Sequence, residues 1–344
     1  MPTGHTASAG LGPALRSWLG EQLGSPGPFE ARPISGGNSN ETTLLSAPGG
    51  QWIMRRPPAV AISPTANNLA RELRVLTALA GRDVPAPRAL AFAEAGAVTA
   101  QPCLVMELCP GAPLTDSWPE GWPRDVTIGA AGFAAVEALA ALHRVDVEAA
   151  GLAGFGRPAG FLERQVARWR GQYQQNRVRD LPLFDDVGAW LDANRPADGI
   201  PGILHGDFRL DNCLILPGPP TRVSAIIDWE LSTIGDPLVD LGLLLGFWGA
   251  ERVAPIAMPR VQGLTRAPGA PSRRELAGHY SALTGRSTAA LTFYMALAFF
   301  KLAAIVEGAY ARYLSGEIDS PYARALGEDV PKLLRDAAAL AERG

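Results

Sequence analysis

Lysine is almost missing from this sequence: Lys301 and Lys332 stand against 29 arginines. Any cationic function before residue 301 therefore has to use arginine. Cysteine is scarce as well. Cys103, Cys109 and Cys213 are odd in number and lack C-x-x-C spacing, which argues against a disulfide framework and a thiolate zinc site and fits a reducing cytoplasm. The four histidines are scattered, without a zinc-hydrolase pairing, and no G-x-x-x-x-G-K-[ST] is present, so P-loop chemistry is excluded. GFGRPAG at 154–160 has no strand before it and carries Pro158 inside, so it fails the dinucleotide-loop context. The first twenty residues lack the basic and apolar regions of a secretion signal. The longest apolar run, Leu291 to Val306, is interrupted by Lys301 and falls short of the roughly 18 residues of a membrane span. It reads as a buried helix.

What is present is globular in kind. Of 344 residues, 47% are hydrophobic and 19% charged, enough for a sizeable core and too apolar for a disordered chain. The length suits two lobes around a shared cleft. A formal net charge of −3 offers no field for a nucleic-acid backbone or an anionic membrane, so neither is expected as a partner.

Residues 11–24 have the leucine spacing of a short amphipathic helix, packed on the outside. FEARPIS, ETTLLSA and QWIMRR, separated by Gly36-Gly37 and Gly49-Gly50, predict an antiparallel meander. Pro57 and Pro58 end it, and Pro64 suits the first turn of a helix reaching Leu79. RALAFAE and PCLVMEL form a second strand pair. Beyond Pro110-Gly111 the pattern is helical at 124–144, 161–176 and 184–194. Short strands around ILHGDFRLDNCLIL and RVSAIIDWE follow, then helices at 272–284, 287–314 and 321–342. Ser272 and Glu275 have capping-box spacing, and Asp236 before Pro237 is placed to cap a helix.

Three oxygen-bearing side chains carry the chemistry. Asp207 and Asn212 stand five apart in HGDFRLDN, the Asp-to-Asn spacing of a kinase catalytic loop. A carboxylate there can accept the proton of an attacking hydroxyl, while the carboxamide one turn on reaches a magnesium ion on the nucleotide. Asp228 follows the apolar strand SAII, where a second metal-binding carboxylate is expected, and magnesium favours few, hard oxygen ligands. Taken singly, each is what a turn also uses. The ordered set behind a sheet-rich lobe points to phosphoryl transfer.

HGDFRLDN followed by IIDWELSTIGDPLVDLG resembles the aminoglycoside phosphotransferase family, a branch of the protein-kinase-like fold, and within it the branch whose relatives are fused ahead of acyl-CoA dehydrogenase domains. The similarity runs from ISGGNSNET, at Ile34, to FFKLAAIVEGAYARYLSG. It implies an α+β, bilobal fold: an N-terminal nucleotide-binding lobe of small antiparallel sheet plus helix over 1–108, and a mainly helical catalytic and substrate-binding lobe over 109–344. It implies ATP as co-substrate, Asp207 as base, Asn212 and Asp228 on Mg2+, His205 supporting the loop and Asp240 anchoring it. Arg55 in WIMRRPP takes the place where many kinases have lysine, with Glu72 as partner. Gly36, Gly37, Asn38 and Ser39 would cover the phosphates. Met106 would border the adenine, and the backbone of Glu107 and Cys109 would bond it. Asp236 has a structural duty, His143 reads as a core histidine, and Arg209 and Glu230 are candidate substrate contacts.

The expected function is transfer of the γ-phosphoryl group of ATP to the hydroxyl of a small molecule. From residue 245 onward twelve Lys/Arg face nine Asp/Glu, whereas a polycationic acceptor would call for carboxylates. A neutral or anionic hydroxy acid or hydroxyacyl compound is therefore the expected acceptor. An antibiotic kinase and a pseudokinase nucleotide-binding module are the alternatives.

Overall fold

The structure is a computed structural model and describes residues 11–34, 40–58, 68–123, 127–249, 263–318 and 321–342. The chain divides into two compact units, Met1–Pro110 with Ile227–Ser232, and Gly111–Ile226 with Thr233–Gly344. The division differs from the expected 1–108 and 109–344: the first unit runs on to Pro110, and 227–232 cluster with it.

In the first unit, helix α1 (Pro13–Leu23) precedes strands β1 (Glu30–Pro33), β2 (Glu41–Ala47) and β3 (Gly50–Arg56); helix α2 (Leu69–Leu79) then leads to β4 (Ala89–Ala93) and β5 (Cys103–Glu107). The strands form one antiparallel sheet in the order β1-β2-β3-β5-β4. Leu15 and Leu19 of α1 are buried in a core with Leu45, Met54, Ala91 and Val105. Side chains alternate across a strand. Met54 enters that core, and its neighbour Arg55 turns to Glu72 on α2. Helix α2 begins at Leu69, and the expected first turn at Pro64 lies outside the described residues. The Asn68 side chain accepts from the Arg71 N–H and caps the helix start. Residues 59–67 lie outside the described residues.

The second unit holds α3 (Ile128–His143), α4 (Phe161–Asn176), α5 (Pro182–Ala193), β6 (Gly202–Leu204), β7 (Cys213–Leu216), β8 (Arg222–Ile226), β9 (Thr233–Gly235), α6 (Leu238–Phe247), α7 (Arg273–Thr284), α8 (Leu291–Leu314) and α9 (Pro321–Ala341). Two small antiparallel pairs, β6 with β9 and β7 with β8, hold the polar loops among the helices. The expected capping box at Ser272 and Glu275 is present. Pro237 occupies the cap position of α6, and Asp236 beside it accepts from the Leu238 N–H.

Among the described residues α8 is the helix long and apolar enough to cross a membrane, and most of its apolar side chains are buried within this unit. Its packing explains the length. Phe300 stacks on Phe184 of α5 at 4.2 Å, and Phe184 on Tyr173 of α4 at 3.9 Å. Gly242 lets α6 approach α8 so closely that a Cβ would stand 2.5 Å from the Cβ of Tyr294. Gly242→Ala should therefore destabilise the fold by about 1–3 kcal/mol despite alanine's better helix propensity. Urea unfolding measures this, with the midpoint falling at unchanged slope.

Candidate active site

In the first unit the site is a charged cluster built around Arg55. Its guanidinium bonds Glu72 Oε1 at 2.5 Å and Asp228 Oδ1 at 2.8 Å, with Glu230 Oε2 at 3.7 Å. Arg55 is 7% exposed and Glu72 1%. Burial alone would lower the Arg55 pKa, but Glu72, then Asp228 and Glu230, outweigh it and hold the guanidinium above its ordinary value. The same burial raises Glu72, with Arg55 opposing it. Three carboxylates thus surround the single guanidinium of Arg55.

Asp228 sits in the turn after the apolar strand at φ 69°, ψ 63°, the one described non-glycine residue with positive φ. Aspartate tolerates this left-handed conformation better than most residues. The following turn is pinned to α2, where the Arg71 side chain donates to the Ser232 carbonyl. Asn40, 3% exposed, donates to Glu230 Oε2 at 3.0 Å, and its own Oδ1 is buried with no hydrogen-bond partner. Its link to Glu230 spans 190 residues and leaves no local signal. Gly36, Gly37, Asn38 and Ser39 fall outside the described residues.

Met106, Glu107 and Cys109 lie at and beyond the end of β5. Met106 is buried. The Glu107 N–H already donates to the Arg88 carbonyl, so that donor is committed to the sheet edge. The Cys109 thiol is pushed up to about 12 by burial and then by the Glu107 carboxylate, and stays protonated at neutral pH.

In the second unit the HGDFRLDN loop leaves β6 and is organised by one carboxylate. Asp240 of α6, 0% exposed, accepts from the His205 N–H at 2.6 Å and the Gly206 N–H at 2.9 Å. Burial would raise its pKa, but hydrogen bonding from His143 and the loop N–H groups prevail and hold it below its ordinary value. His143, lowered by burial against the pull of Asp240, lies between Asp240 (Nε2, 3.4 Å) and the Tyr280 hydroxyl (Nδ1, 2.8 Å). Neutral imidazole satisfies both partners with the proton on Nε2.

Asn212 Nδ2 donates to the Asp207 carbonyl at 2.8 Å and to Asp207 Oδ2 at 3.2 Å. Arg209 pairs with the same Oδ2 at 3.1 Å and with Asp211 at 3.2 Å. Among the described residues neither Asp207 Oδ1 nor Asn212 Oδ1 takes a hydrogen bond. His205 is buried, and its Nδ1 accepts from the Asp207 N–H at 3.3 Å. Asp236 accepts the Tyr294 hydroxyl at 2.7 Å. A cavity of about 1180 Å³ in this unit is lined by His143, Asp236, Arg286 and Tyr294, among others, and not by Asp207 or Asn212.

Residues 30–277 match the model of a family described as a phosphotransferase enzyme family. The chain belongs to this phosphotransferase family. It is 34% identical over 322 residues to acyl-CoA dehydrogenase family member 11 of Gallus gallus, covering 92% of this chain and 41% of that protein. It therefore spans less than half the length of that relative. It is 31% identical over 196 residues to viomycin phosphotransferase of Streptomyces vinaceus, covering 54% of this chain and 65% of the relative. Among solved structures, a Ralstonia eutropha protein assigned to the aminoglycoside phosphotransferases superposes with TM-score 0.81 at 32% identity, covering 96% of this chain and 98% of that one. The expected family and the protein-kinase-like fold, a sheet-rich N-terminal part and a helical C-terminal part, hold.

The Arg55 cluster gives a test in stability. Arg55→Met would leave Glu72 buried without its counter-charge, at a cost of about 3–5 kcal/mol at neutral pH. In that variant the folded state holds the Glu72 proton more tightly than the unfolded chain does. Stability should then fall as pH rises and be regained as pH is lowered through the raised Glu72 pKa. Urea unfolding at pH 7 and pH 5 checks this, with a deficit smaller at pH 5.

Proposed function

We propose that this chain transfers the γ-phosphoryl group of ATP, in the presence of Mg2+, to the hydroxyl of a small molecule, with a hydroxy acid or hydroxyacyl compound as acceptor. The observation that carries the reading is the Asn212 carboxamide bonded to both the carbonyl and the carboxylate of Asp207, within one loop gripped by Asp240. Asp207 Oδ2 is occupied by Asn212 and Arg209, so Oδ1 is the oxygen that would take the acceptor's proton. The pairing leaves that carboxylate with one working direction.

Asn212 Oδ1 and Asp228 Oδ2 are each hard oxygen donors of the kind Mg2+ takes. Magnesium, when bound, would neutralise charge on the phosphate oxygens. Arg55, oriented by Glu72, would face those phosphates in place of the usual lysine, and Met106 with the backbone of Glu107 and Cys109 would border the base. The Glu107 N–H is already spent on Arg88, which leaves the carbonyl side of that residue for a nucleotide. The three free cysteines fit a reducing compartment, here the cytoplasm.

The acceptor class rests on Arg209 beside Asp207 and on the relative named for acyl-CoA chemistry. Glu230 is held by Asn40 and Arg55, a position that suits organisation of the cluster better than contact with an acceptor. The match to viomycin phosphotransferase favours the second reading, an antibiotic phosphotransferase.

Purified protein with Mg-ATP should phosphorylate hydroxyacyl compounds and not kanamycin-type compounds; the reverse pattern refutes the acceptor class. Asp207→Asn should lower transfer by a factor on the order of 10³ while ATP binding, followed by calorimetry, changes little. Equal turnover in this variant removes the base assignment.

A further inference from the structure

The peptide group joining Gly206 to Asp207 is held at both of its polar ends. Its N–H, that of Asp207, donates to His205 Nδ1 at 3.3 Å, and its carbonyl, that of Gly206, accepts from Lys301 Nζ at 2.7 Å. Gly206 stands at φ 88°, so no side chain fixes the loop there, and its own N–H is taken by Asp240. Lys301 reaches the loop from α8, with Trp169 of α4 alongside (Nζ 5.7 Å from the ring centroid). Nothing in the HGDFRLDN motif announces this contact.

We propose that Lys301 is a positioning residue for phosphoryl transfer: by clamping the Gly206 carbonyl, its ammonium fixes the peptide plane from which the Asp207 carboxylate is aimed. This rests on the reading of Asp207 as base. A compact ammonium suits the task. It delivers a point charge to a single carbonyl, where the planar fork of arginine would need room for further donors. The chain uses arginine for 29 of its 31 basic residues and lysine here. Asp207 and Asp240 supply favourable negative charge, and Arg209 and Arg168 oppose it. Burial, the largest influence, lowers the lysine pKa, so the clamp keeps its charge on the acidic side and loses it as pH rises.

The test uses the full chain as wild type, Lys301→Met, Lys301→Gln, Lys301→Arg, Asp207→Asn and the Lys301→Met/Asp207→Asn double variant. ADP release from Mg-ATP is followed with water as acceptor and with any acceptor found by the substrate panel; Mg-ATP binding is measured by calorimetry. Lys301→Met and Lys301→Gln should bind Mg-ATP within about threefold of wild type and turn over about 10–100-fold more slowly, the scale of a small misalignment of a reacting group. Lys301→Arg should recover part of the rate and carry it to higher pH, since its guanidinium stays charged. The double variant should be no slower than Asp207→Asn, because the lysine acts through that carboxylate.

Wild-type turnover in Lys301→Gln, or a multiplicative loss in the double variant, overturns the proposal. Should Lys301→Met fail to fold, Lys301→Arg decides: a wild-type rate with a wild-type alkaline limb also overturns it. Wild-type turnover in Asp207→Asn sinks the base assignment instead, a separate outcome from loss in Asp207→Asn with full rate in Lys301→Gln.

Discussion

Asp240 is the constraint on which the shape of the second unit's polar loop depends. A carboxylate with no exposure is costly unless every lone pair is used, and here it is paired with two consecutive backbone N–H groups and an imidazole. The loop at residues 205–207 takes its shape from satisfying that buried charge. His143 and Tyr280 extend the same network to α3 and α7, so loop geometry is tied to the packing of helices that lie outside the HGDFRLDN loop. Such a network is rigid when complete and expensive when any member is lost.

Much of this was legible in the sequence because it is local. The strands of the first unit follow alternation and glycine turns, the capping box of α7 is a four-residue pattern, and the Asp207–Asn212 spacing lies within a single loop. The Asn68 cap of α2 is local too, a side chain accepting from the N–H three residues on. The Arg55–Glu72 contact could be proposed only because a shortage of lysine removed the competing candidates.

What was not legible is long-range. Lys301 meets Gly206 across 95 residues, and Asn40 meets Glu230 across 190. Neither pairing has a periodicity or a motif, because each arises from how elements pack and not from the chain near either partner. His143 read as a core histidine, and it is buried. Its pairing with Asp240 and Tyr280 shows that a core position can still belong to the wiring of a polar loop. Arginine dominance also alters the character of the first unit's cluster. A forked guanidinium can serve Glu72 and Asp228 at once, which an ammonium does with less angular definition.

The left-handed backbone at Asp228 has a consequence for how this chain can drift over evolutionary time. A β-branched or bulky replacement there would pay a steric penalty of roughly 1–2 kcal/mol before any effect on ligand binding. Neutral change at that codon is thus funnelled toward asparagine or glycine.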